Sequence, residues 1–102
     1  MTKIKIQYKS DTTLLVVSGH SGYAQNGHDI VCAAISTACI MSANLIERLD
    51  LNTNIIDLVC DEGYFRLEVK KSNFIADTVM INLIETLDEL QKQYPRYIKY
   101  EN

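Results

Sequence analysis

The sequence is short of the two residues that most often interrupt regular structure, with one proline and four glycines in 102 residues. That scarcity argues against a disordered or low-complexity chain. Excess positive charge is missing too. Ten Lys and Arg stand against 13 Asp and Glu, a formal net charge of −3, with the two signs interspersed. This excludes a general phosphate-binding face and, with it, direct nucleic-acid binding. A disulfide framework is missing: Cys32, Cys39 and Cys60 are odd in number, and each lies in an apolar pattern that assigns Cys39 and Cys60 to the core. No apolar run reaches the ~18 residues of a membrane span. Met1-Thr2-Lys3 leads straight into an alternating pattern, so no signal peptide is expected. Reduced thiols without membrane or export signals fit the cytoplasm. Phosphate loop, dinucleotide fingerprint and serine elbow are all absent.

What is present reads as one domain spanning 1–102. The 47% hydrophobic and 23% charged fractions are ordinary for a globular chain. Lys3 to Lys9 alternates, with Ile4, Ile6 and Tyr8 on one face. Ser10-Asp11-Thr12 supplies a turn, and Thr13 to Ser18 reads as a second, hairpin-paired strand. A loop follows with glycines at 19, 22 and 27. Asp29 is placed to cap a helix that runs to about Leu49, with Ile30, Val31, Ala34, Ile35, Ala38, Met41, Leu45, Ile46 and Leu49 as its apolar face. Cys32, Ser36, Cys39 and Ala43 form a separate stripe of small side chains, a seam where another backbone can approach. Ile55–Cys60 and Tyr64–Val69 predict a hairpin around a three-residue loop, Asp61-Glu62-Gly63. Ser72 or Asn73 caps a helix over 74–94, which Pro95 ends, and Tyr97 to Tyr100 closes the chain as a strand. The order ββαββαβ predicts an α+β fold: two layers, a mainly antiparallel sheet with two long helices.

The chemistry concentrates in GHSGYAQNGHDIVCAAIS, residues 19–36. Cys32 falls in the first turn of a helix, where unpaired N–H groups and the helix dipole favour a thiolate and could hold an oxyanion. His20 ends a strand beside a glycine loop and could serve Cys32 as base. His28 is the rival base, more often a solvent-facing residue at such a place. Asp29 is a cap, or else orients a histidine. Ser36, one turn after Cys32, could donate to the thiolate or only pack. Gly19, Gly22 and Gly27 suggest a sharply bent loop, in which Tyr23 is a substrate contact or a packed aromatic. His20, His28, Asp29 and Cys32 could also bind zinc, but their spacing matches no strong ligand pattern. No cofactor and no metal are expected.

The same stretch closely resembles the signature of the ribosomal-processing cysteine proteases, the Prp family: Gly-His-x-Gly, a short variable loop, then Gly-x-Asp-Ile-Val-Cys-Ala-x-x-Ser. The resemblance extends to the element order and to Gln93-Tyr94-Pro95. It implies His20 as catalytic base and Cys32 as nucleophile, Asp29 and Ser36 in supporting roles, and Gly19, Gly22, Tyr23 and Gly27 in a substrate loop. It implies a homodimer that removes the N-terminal extension of a large-subunit ribosomal protein, cutting after a hydrophobic, often Phe-Phe-containing segment. The competing reading is a non-catalytic ribosome-associated module that binds such a peptide without cutting it.

Overall fold

The computed structural model describes residues 1–25 and 29–101. Strands β1 (Thr2–Tyr8) and β2 (Thr12–Ser18) form the first hairpin, and helix α1 (Ile30–Arg48) follows. Strands β3 (Ile55–Asp61) and β4 (Tyr64–Lys70) form the second hairpin; helix α2 (Phe74–Gln93) and β5 (Ile98–Tyr100) complete the chain. The sheet order is β3-β4-β2-β1-β5, antiparallel except for the parallel β1–β5 pair. The predicted ββαββαβ order and α+β class hold.

The register explains the two layers. Ile4, Val17, Phe65 and Cys60 lie in one cross-strand row, and Ile6, Leu15, Leu67 and Leu58 in the next on the same face. Apart from Cys60 and Leu58 on the edge strand, these rows join Val31, Ile35, Cys39, Ala43 and Ile46 of α1 and Ala76, Met80, Leu83, Ile84 and Leu87 of α2 in one core. The opposite face carries polar pairs such as Arg66–Asp57 at 2.7 Å and Lys9–Glu68 at 3.2 Å.

Four expectations are corrected. The stripe Val31, Ile35, Cys39, Ala43 and Ile46 is the buried side of α1, whereas Ile30, Met41, Leu45 and Leu49 are exposed. The buried side thus mixes large residues, Val31, Ile35 and Ile46, with the small Cys39 and Ala43. Cys60 is exposed, because β3 is an edge strand that α1 does not cover. Asp61 pairs with Tyr64, so the second hairpin turns on two residues, Glu62 and Gly63. Finally, α1 is long and apolar enough to cross a membrane by length and composition. Its interruptions, Ser36, Thr37, Ser42 and Asn44, are polar but uncharged. Here its sheet-facing side forms part of the core.

Candidate active site

Asp29 begins the site. Its Oδ1 accepts hydrogen bonds from the N–H groups of Val31 (3.0 Å) and Cys32 (2.9 Å), an N-cap that starts α1 where the sequence predicts. Its Oδ2 accepts from the Ser21 hydroxyl at 2.5 Å and from the Tyr23 N–H at 3.2 Å. The carboxylate therefore ties the segment after His20 to the helix that carries Cys32. Burial alone would raise the Asp29 pKa, but the Ser21 hydroxyl and the Cys32 N–H outweigh it and lower the group to about 2. No hydrogen bond joins Asp29 to His20 among the described residues, so its observed role is the cap.

This cap also corrects the expected use of the helix N-terminus. The Val31 and Cys32 N–H groups are occupied by Asp29, and the Ala33 N–H donates to the Asp29 carbonyl at 3.1 Å. The Cys32 Sγ instead accepts a hydrogen bond from the Ser21 backbone N–H at 3.2 Å. Ser21 is only 2% exposed.

His20 leaves the end of β2 and rests on the turn of the second hairpin. Gly63 adopts φ +73°, and a Cβ added there would lie 3.0 Å from His20 Nε2. The Gly19 N–H donates to the Gly63 carbonyl at 2.8 Å, which fixes the strand end on the same turn. Gly19 is required for its own reason: at φ +88° a Cβ would meet the Met1 carbonyl oxygen at 2.5 Å.

His20 and Cys32 border the same two adjoining depressions, of about 420 and 480 Å³, together with Ser36 and Glu62. One depression continues past Cys60, Tyr64 and Phe65; the other is bounded by Gly22 and Ala24. Cys39 lines the floor of the first, but burial and then the neighbouring Cys60 push its thiol up to about 12, so it stays protonated. Tyr23 packs edge-on against Tyr94 and Tyr97, at centroid distances of 5.8 and 5.2 Å, which is the packed-aromatic alternative. The rival base His28 and loop residue Gly27 lie outside the described residues. Sequence reasoning missed Glu62 and Gly63 as site residues; their signal is pairing across the sheet, which no local pattern carries.

A thiol at a helix start and an imidazole bordering one open cleft are the working parts of a thiol hydrolase. Comparison with known proteins narrows this class. Residues 1–99 match the family model described as cysteine protease Prp. The ribosomal processing cysteine protease Prp of Staphylococcus aureus (strain Mu50) is 26% identical over 97 residues, 94% of this chain and 92% of that one. That of Bacillus subtilis (strain 168) is 25% identical over 83 residues, 76% of this chain and 74% of that one. A crystal structure of an essential ribosomal processing protease Prp from S. aureus, in complex with a covalently linked product peptide, superposes with a TM-score of 0.84. It is 26% identical and covers 99% of this chain and 100% of that chain. The chain belongs to the cysteine protease Prp family and is a cysteine protease involved in ribosomal protein processing.

Proposed function

We propose that this cysteine protease cleaves the N-terminal extension from a large-subunit ribosomal protein with a Cys32–His20 dyad. The observation that carries the reading is the shared cleft: the one thiol at the start of a helix and an imidazole seated on Gly63 border the same open space. His20 takes the Cys32 proton, and the thiolate attacks the scissile carbonyl. His20 then protonates the leaving amine, and water hydrolyses the thioester. Two depressions meeting at Cys32 suit an extended peptide that passes on both sides of the scissile bond. The apolar wall at Tyr64 and Phe65 suits a hydrophobic segment of the Phe-Phe kind. The peptide linked covalently in the S. aureus relative supports the same chemistry. Ser36, bordering both depressions, is assigned a supporting contact. The proposal includes action as one domain, a homodimer and a cytoplasmic location, in keeping with a ribosomal substrate.

The test is hydrolysis of a synthetic peptide carrying a Phe-Phe segment. Cys32→Ala should abolish turnover, and His20→Ala should lower kcat by roughly 10²–10⁴-fold. Full turnover by Cys32→Ala would refute the dyad.

A further inference from the structure

Attack by a thiolate on a peptide carbonyl places negative charge on the carbonyl oxygen, and that oxygen needs a donor. Three helix-start N–H groups nearest the thiol in sequence are engaged: Asp29 Oδ1 holds those of Val31 and Cys32, and the Asp29 carbonyl holds that of Ala33. Among the described residues, the donor aimed at the Cys32 thiol is the Ser21 N–H, 3.2 Å from Sγ. We infer that the backbone N–H of Ser21, the residue after His20, is an oxyanion donor of this enzyme. The inference rests on Cys32 as the nucleophile.

The balance of the step shows why this donor fits. The Sγ electron pair forms the S–C bond, and the carbonyl π pair moves onto oxygen. Sulfur and oxygen are then neighbours on one carbon, so a donor aimed at the resting sulfur is already beside the new anion. Its partner changes as sulfur loses its charge and oxygen gains it. When the oxygen pair returns to carbon, the C–N bond breaks and the amine takes the proton from His20.

Preorganisation comes from the surroundings of Ser21. It is almost fully buried. Its hydroxyl donates to Asp29 Oδ2 and accepts from the Tyr23 N–H at 3.2 Å. Two residues earlier, the Gly19 N–H is fixed on the Gly63 carbonyl. The N–H thus has little freedom to reorient during the reaction, which is what such a donor needs.

The inference is tested by building the full chain by ligation at Cys32, with the Ser21 amide nitrogen replaced by oxygen. Peptide cleavage is compared with alkylation by iodoacetamide, a displacement at saturated carbon that forms no oxyanion. Cleavage should fall by ~10²-fold or more against the all-amide ligated chain, with a much smaller fall in alkylation at the same pH. Equal losses would assign the N–H to the thiolate alone and overturn the inference, as would unchanged cleavage. Turnover by an all-amide Cys32→Ala chain would instead bring down the nucleophile assignment itself. If the ester chain does not fold, wild-type protein labelled with ¹⁵N-serine gives the answer. A peptide aldehyde, whose hemithioacetal oxygen takes the oxyanion's place, should move the Ser21 amide proton further downfield than carboxamidomethylation does. The same shift with both reagents would overturn the inference.

Discussion

At the scale of single residues, Gly63 answers to two constraints. Its φ of +73° is a left-handed turn position, and the space where a side chain would start is filled by the His20 ring, 3.0 Å from Nε2 and 3.4 Å from Cε1. Gly63→Ala should cost about 1–2 kcal/mol in backbone strain and also displace the imidazole, lowering kcat by up to ~10²-fold. Gly22→Ala is the control. Gly22 also has φ +73°, but a Cβ there meets nothing within 4 Å. It should show a similar loss of stability with a much smaller loss of rate. Equal losses of rate would mean that the contact with His20 is irrelevant. Cys32, His20 and Asp29 stand out in the sequence because helix capping and strand ends are local patterns. The seat under His20 is invisible there, since Gly63 looks like any turn glycine until β4 is paired with β2. Cys60 departs from its expected burial because edge and interior strands share an apolar pattern.

At the scale of elements, the two helices begin alike and serve different ends. The Asn73 Oδ1 caps α2 through the N–H groups of Ile75 and Ala76, each at 3.0 Å, and Asp29 caps α1 in the same way. Asn73→Ala and Asp29→Ala should each cost ~1 kcal/mol, a fall of about 4–8 °C in Tm for a domain of this size. Peptide cleavage separates them: Asn73→Ala keeps kcat/KM, and Asp29→Ala loses it, because Asp29 also holds Ser21. The cap titrates as well. With Asp29 lowered to about 2 from its ordinary 3.8, its contribution is full above about 3.8 and is lost as pH falls through about 2. Asp29→Asn, which keeps a capping oxygen but no charge, should flatten that part of the acid limb of Tm against pH, read by circular dichroism. Both caps and both helix lengths were legible from local chemistry. The burying side of α1 was not, because apolar residues lie around most of its circumference and only packing against the sheet selects among them.

At the scale of the whole molecule, the two helices leave an apolar groove open between them. Met41 (69% exposed) and Leu45 (46% exposed) border a groove of about 690 Å³ between α1 and α2, with Val79 and Leu83 opposite. The proposed homodimer has this face available to it. If it forms there, Met41→Glu with Leu45→Glu should convert dimer to monomer in sedimentation velocity while the isolated fold survives. A dimer unchanged by both substitutions would place the interface elsewhere. The order of elements could be read along the chain, but the parallel β1–β5 pair could not, since it joins the two ends of the sequence.

The dependence of His20 on the second hairpin gives synthesis an order of events. Ser21, Asp29 and Cys32 lie within 11 residues of one another, so the thiol half of the site can assemble from an early stretch of chain. The imidazole half cannot. Its seat is Gly63, and the strand that presents Gly63 inserts between β3 and β2. A nascent or prematurely ended chain that stops before this turn carries both groups of the proposed dyad without the surface on which His20 rests. If the proposed dyad holds, proteolytic competence therefore waits until the second hairpin has been made.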